Sequence, residues 1–192
     1  MLNSVKLHPE LKDFISYIDM LVLSQEDEIS ITEKVAERMK EIMVKDGVIP
    51  ERFKKPNATK YTLYPVYVDP ENRFSIASAV WDVGQTTPIH NHGTWGVIGI
   101  LQGAENEIQY KIQTGIAPVK ISEKTLEKGD VVVCCTSDQD IHKVSCASSE
   151  PCVGIHVYGG NIGEIERRVF DEKSGEEKKV VTAWDPIPFQ AE

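Results

Sequence analysis

Thr87-Pro88-Ile89-His90-Asn91-His92-Gly93-Thr94-Trp95-Gly96-Val97-Ile98-Gly99 is the stretch from which the fold is read. Side chains alternate between the two faces of a strand, so His90 and His92 share one face and Asn91 takes the other. Neutral imidazole is the commonest metal-ligand side chain, and two of them at this spacing form a chelate. His-x-His alone is a weak signal, because short motifs recur by chance and buried histidines often do no more than hydrogen-bond. The context sharpens it. Gly84 stands six residues before His90, Gly96 four after His92, and Gly103 seven after Gly96. Gly129-Asp130 then opens an apolar strand, and His142 follows Gly129 by thirteen residues. Lys143 should face water, which turns His142 inward together with Val144.

Outward from this stretch the chain reads as short strands. Tyr61–Val68, Phe74–Trp81, Val97–Leu101, Ile108–Gln113, Val119–Ile121, Val131–Cys135, His142–Cys146 and Val153–Tyr158 are rich in Val, Ile, Thr and Tyr and are separated by Gly, Pro, Asp and Asn. That texture indicates a mainly β sandwich or barrel. Residues 1–47 are different. Leu7, Leu11, Phe14, Ile15, Ile18, Leu21 and Val22 recur at helical spacing, and Ile31, Val35, Met39, Ile42 and Met43 make a second stripe. Ser30 with Glu33 reads as a capping box, and Gly47 as a C-terminal stop. Ile49 to Lys60, with Pro50 and Pro56, reads as a linker. The expectation is one domain of 192 residues: two N-terminal helices within 1–47 packed on a barrel spanning 60–192.

Thirty acidic and 21 basic residues give a net charge of −9, with no basic block. This argues against nucleic acid or an anionic membrane as partner. No apolar run reaches the ~18 residues that a membrane span needs. Phe14–Leu23 is interrupted by Asp19 and lacks a small-residue cleavage site, so it does not read as a signal peptide. A cytoplasmic location is expected. Cys134, Cys135, Cys146 and Cys152 form no Cys-x-x-Cys pair and read as buried apolar residues in a reducing compartment.

The glycine and histidine spacings match the two cupin motifs, the second with a two-residue expansion, and the sequence resembles the thiol dioxygenases, the cysteine dioxygenase group of cupins. The resemblance is carried by Phe74–Trp81, Thr87–His92, Trp95–Gly99, Leu101–Glu105, Asp140–Val144 and His156–Gly159, and it covers roughly residues 60 to 170. The Trp95–Gly99 run and Gly159-Gly160-Asn161-Ile162-Gly163 look more like the bacterial 3-mercaptopropionate dioxygenases than the mammalian cysteine enzymes. It implies a cupin fold, that is, a double-stranded β-helix or jelly-roll barrel. It implies Fe(2+) held by His90, His92 and His142, with Gly96 where many cupins carry a ligand glutamate. It further implies that a small thiol and O2 react to give the sulfinic acid. Three neutral imidazoles leave the metal centre more positive than a carboxylate ligand would, which suits an anionic thiolate. Glu105 or Glu107 swinging in as a carboxylate ligand is the alternative ligand set.

The resemblance also assigns roles around the metal. Tyr158 matches the family's active-site tyrosine, a hydrogen-bond donor towards oxygen or the substrate carboxylate, and His156 orients it. The family's bacterial members continue that relay to a serine, where this chain has Gly154. Mammalian members crosslink a cysteine to the tyrosine; Gly96 and Val97 offer no thiol, so no such crosslink is expected. Tyr61 matches a tyrosine near the substrate carboxylate. Leu63 stands where relatives carry arginine or glutamine, so a carboxylate needs another partner; Arg167 matches a family arginine that follows the tyrosine strand and is the candidate, and Trp95 is a candidate wall of the pocket. With Leu63 in place, cysteine is expected to be a disfavoured substrate. Two other readings remain open. One is the same iron chemistry on an atypical thiol or thione, and the other is a non-catalytic, metal-dependent cupin binding module. The sequence does not fix the oligomeric state.

Overall fold

The computed structural model describes residues 7–24, 26–113, 115–134 and 140–188. Cys135, one of the four cysteines read from the sequence, lies outside the described residues. Helices α1 (Pro9–Leu23) and α2 (Glu28–Met43) come first, followed by a 3-10 turn (Glu51–Lys54). Eleven strands follow: β1 (Thr62–Val68), β2 (Ser75–Trp81), β3 (Ile89–His90), β4 (Gly96–Gln102), β5 (Ala104–Gln113), β6 (Ile116–Glu127), β7 (Val131–Cys134), β8 (His142–Cys146), β9 (Cys152–Tyr158), β10 (Glu166–Phe170) and β11 (Glu177–Val181).

The strands form two sheets, a five-stranded one in the order β1-β2-β9-β4-β7 and a six-stranded one in the order β11-β10-β3-β8-β5-β6. Every pairing is antiparallel. From β2 to β5 the chain crosses between the sheets at each step, and after the β5–β6 hairpin it does so again from β6 to β10. This winding is the jelly roll, or double-stranded β-helix. The protein is mainly β, a cupin-type barrel with two N-terminal helices, as the sequence indicated.

The five-stranded sheet is buried on both faces, which explains why β2 and β9 are buried at every position. On one face Ile76, Val80, Val97, Val153, Ile155 and Val157 join one core with Leu11, Phe14, Ile18, Val35, Met39 and Ile42 of the helices. Helix α2 lies over β4 and β7. The other face looks into the barrel with Leu63, Ala77, Ala79, Trp81 and Tyr158. The even residues of β9 therefore face the interior and the odd ones the helices, the division that strand alternation dictates.

Several local readings are corrected by the structure. Helix α2 begins at Glu28, not Ser30; Asp27 is the cap, its carboxylate accepting from Ser30 N at 2.8 Å. The helix ends at Met43, and Gly47, with φ of 70°, belongs to the turn beyond it. Residues 49–60 do not all form a linker. Phe53 in the 3-10 turn is 1% exposed, and its carbonyl accepts from Ser78 Oγ at 2.7 Å. His8 caps α1, its Nδ1 accepting from Glu10 N at 3.2 Å. Strands β10 and β11 were not read from the sequence. Their charged residues hide the alternation, and cross-strand pairs such as Lys179–Glu166 (2.8 Å) accompany the ladder. Strand β6 runs to twelve residues where three were expected, because most of it is exposed and carries no hydrophobic period.

The cysteines need one further correction. Cys134, Cys146 and Cys152 are buried as expected, but Cys146 and Cys152 form a disulfide between β8 and β9. A separation of six residues with no Cys-x-x-Cys spacing concealed that pair.

Candidate metal centre

Strand pairing brings the histidines together. His90 on β3 and His142 on β8 are direct partners, so their side chains leave the sheet on one face. Strand β3 ends at His90, yet His92 keeps the same direction. The reason is Asn91, whose Oδ1 accepts from Arg168 N at 2.8 Å and whose N donates to Arg168 O at 3.1 Å. Asn91 is thereby held towards β10, which leaves its neighbours facing the barrel. The three rings stand 4.8, 4.9 and 5.0 Å apart by centroid, close to an equilateral triangle, and their ligand atoms lie within 4.8 Å of one another.

In each ring Nδ1 is already engaged. His90 Nδ1 lies 3.0 Å from Pro88 O, His92 Nδ1 2.6 Å from Asp140 Oδ2, and His142 Nδ1 3.5 Å from Glu107 Oε1. Acceptors at Nδ1 place the ring proton there and present the Nε2 lone pair. His142 Nε2 is buried and has no hydrogen-bond partner among the described residues. Burial, reinforced by the charge of the neighbouring histidines, holds His90 and His92 well below the usual histidine range, so both rings are neutral at pH 7. Neutral, oriented imidazoles with converging Nε2 atoms fit a divalent cation.

Glu105 and Glu107 project inward from β5, opposite Cys146 and Val144 of β8. Glu107 supports His142 through Nδ1 and meets Lys124 Nζ at 3.3 Å. Burial pushes its carboxyl up, but the bond to His142 and the charge of Lys124 outweigh this and hold it down to about 2. Its place is behind His142. Nothing from position 96 can supply a carboxylate either. A carbon added to Gly96 would sit 3.0 Å from Cys134 Sγ and 3.3 Å from the Tyr158 ring. A thiol thus stands beside that ring after all, from β7 and not from position 96 or 97.

The histidines open onto a cavity of about 40 Å³. One water needs ~10–15 Å³ of such space, so the cavity takes a small molecule. Tyr61, Leu63, Trp81, Tyr158 and Arg167 are among its walls. Tyr61 stacks on Trp81 at 5.9 Å and 20°. The backbone of Leu63 is pinned by Asp185, whose Oδ2 accepts from Leu63 N at 2.8 Å and whose N donates to Leu63 O at 2.9 Å. Arg167 on β10 shares a face with Val169, the partner of His90, and so points inward; it is 7% exposed. No carboxylate among the described residues pairs with it, and its Nε is buried without a partner, as is Trp81 Nε1. His156 Nδ1 lies 2.8 Å from Tyr158 Oη, and the Tyr158 ring is 5.2 Å from that of His92. Trp95 is placed elsewhere. It is half-buried, packs against the helix-side core and does not line the cavity.

Nothing in the spacing around Asp140 marks its contact with His92, which arises once the barrel closes. Replacing Asp140 with alanine should weaken metal binding by about 10–100-fold, the usual cost of losing a carboxylate behind a ligand histidine. A competitive titration against a chelator measures this, and an unchanged affinity would deny Asp140 the role.

No family model matches the chain. Solved structures similar to it include cupin and double-stranded β-helix proteins. They include a conserved protein with a double-stranded β-helix domain from Klebsiella pneumoniae (17% identity, 64% of this chain and 88% of that chain, TM-score 0.49). Another is a cupin 2 conserved barrel domain protein from Salinispora arenicola (16% identity, 51% and 74%, TM-score 0.40). A third is the polyketide cyclase RemF from Streptomyces resistomycificus (17% identity, 54% and 68%, TM-score 0.40). No helix among the described residues is long and apolar enough to cross a membrane.

Proposed function

We propose that the chain is a thiol dioxygenase that holds Fe(2+) with His90, His92 and His142 and converts a small thiol acid and O2 to the sulfinate. The observation that carries this reading is the convergence of three Nδ1-anchored imidazoles beside a small cavity lined by an arginine that has no acidic partner among the described residues. The resemblance in the sequence suggests the reaction, and the cavity beside the three histidines supports it. Bound iron would supply the redox chemistry between thiolate and O2, and its charge would lower the thiol pKa. The reaction balances without another reductant, because sulfur gives up the electrons that O2 takes and both oxygen atoms end on sulfur.

The chain's own residues do the rest. Arg167 neutralises and aims the substrate carboxylate, with Tyr61 beside it. Leu63 and Trp81 close the wall and exclude water. Tyr158 presents its hydroxyl to the reacting end, and His156 holds the phenol oxygen in place. The buried apolar Leu63 favours a substrate with no ammonium or amide to satisfy at that point, which also keeps an atypical thiol or thione in view.

The test is O2 consumption by iron-loaded protein with 3-mercaptopropionate, cysteine and cysteamine, alongside sulfinate detection. 3-Mercaptopropionate should exceed cysteine by at least about tenfold in kcat/KM, the equivalent of one charged contact. A strong cysteine preference would overturn the substrate assignment. Absence of thiol-dependent uptake would overturn the reaction and leave a metal-binding module. A cytoplasmic site of action belongs to the same proposal; there Cys146 and Cys152 would stand reduced, and thiol counts on protein from freshly lysed cells check it.

A further inference from the structure

Among the described residues, Glu105 Oε1 and His156 Nε2 are two of the buried polar atoms without a hydrogen-bond partner. They lie against the same point. A methyl carbon placed on Gly154 would be 2.6 Å from His156 Nε2 and 2.9 Å from Glu105 Oε1. Glu105 reaches this point from β5 and His156 from β9, so the two sheets meet here. Small neighbours make the room, since Ala77 and Ala79 of β2 are the partners of His156 and Gly154. Leaving both atoms unpaired is costly, whereas one bridging water or a modest turn of the carboxyl joins them.

We propose that Glu105 is a positioning residue: its carboxyl group engages His156 Nε2 in the space that Gly154 leaves, extending the His156–Tyr158 hydrogen bond into a three-residue chain that sets which way the Tyr158 hydroxyl points. The chain has a direction. A protonated carboxyl donates to Nε2, which places the ring proton on Nδ1. Nδ1–H then donates to the phenol oxygen 2.8 Å away, and the hydroxyl hydrogen turns into the cavity. A ring protonated on Nε2 makes Nδ1 the acceptor and turns that hydrogen away. Burial, with the charge of Glu107 adding to it, pushes Glu105 up to about 8, so the carboxyl keeps its proton at neutral pH. Burial, with His142 and Arg167 adding, holds His156 down to about 3, so the ring is neutral and takes a single tautomer. The inference rests on the proposed function only for what the Tyr158 hydroxyl is used for; the pairing itself needs neither metal nor thiol.

Long-range 1H–15N spectra of the full chain, recorded without added metal or thiol, read the tautomer, and H156N identifies the signals. Wild type should show His156 protonated on Nδ1. E105Q should keep that tautomer, because its amide N–H donates to Nε2 as the acid does. E105L removes the donor and G154A wedges a methyl group between the two atoms; both should lose the single Nδ1–H form. With thiol and iron, E105L should lower kcat by about 10–100-fold with little change in KM, and E105Q should rescue most of it. An Nε2–H ring in wild type, or an unchanged Nδ1–H ring in E105L, would overturn the proposal. The spectra decide it even if thiol turnover fails.

Discussion

Replacing His142 with alanine is expected to abolish metal retention and, with it, every metal-dependent activity of the chain. His142 sits between two supports, paired across the sheet with His90 and backed by Glu107. Its Nε2 is buried and has no hydrogen-bond partner among the described residues. Metal binding in structural sites is worth ~10–16 kcal/mol, so one ligand's share is roughly 3–5 kcal/mol, or a 10²–10⁴-fold loss of affinity. The fold should survive, since the main core lies between the five-stranded sheet and the helices, on the far side of that sheet from the cavity. Metal content after gel filtration, with circular dichroism as the folding control, reads the effect. Stoichiometric metal on H142A would remove it from the ligand set.

Arg167→Met should raise KM for an anionic thiol by about 10–100-fold and leave a neutral thiol almost unaffected. The methionine keeps the volume and the apolar stem but removes the charge. A charge-assisted hydrogen bond contributes ~1.5–3 kcal/mol, and none of the described carboxylates competes for this guanidinium. Arg167 is therefore held ready for an external anion. Comparing 3-mercaptopropionate with 2-mercaptoethanol separates charge recognition from general damage. An equal loss on both thiols would return Arg167 to a structural role.

Much of this architecture was legible in the residues, for physical reasons. Fully buried strands such as β2 and β9 read as continuous apolar runs, and amphipathic α1 and α2 read as stripes. His90, His92 and His142 were legible because spacing along a strand fixes the face on which a side chain emerges. What stayed hidden depends on contacts between distant segments. Asp140 and Glu107 act by standing behind histidines, and neither position is marked by spacing. Trp95 looked like a pocket wall because it is large and sits near the motif, but the turn after His92 carries it to the helix side. Leu63 was legible as a departure from a family pattern and Arg167 as a match to it, and both are among the residues that line one cavity. Glu105 was weighed as a metal ligand; its encounter with His156 depends on the empty space at Gly154, which only the closed barrel reveals.

The central claim is that three imidazole nitrogens, and no carboxylate, bind one cation. X-ray absorption spectroscopy on the chain loaded anaerobically with Fe(2+), compared with the H90A and H142A variants, tests it most directly. The account predicts three imidazole scatterers in the native protein, with solvent or added thiol sulfur completing the shell. A fitted carboxylate from Glu105 or Glu107, or the same spectrum after loss of His142, would contradict it.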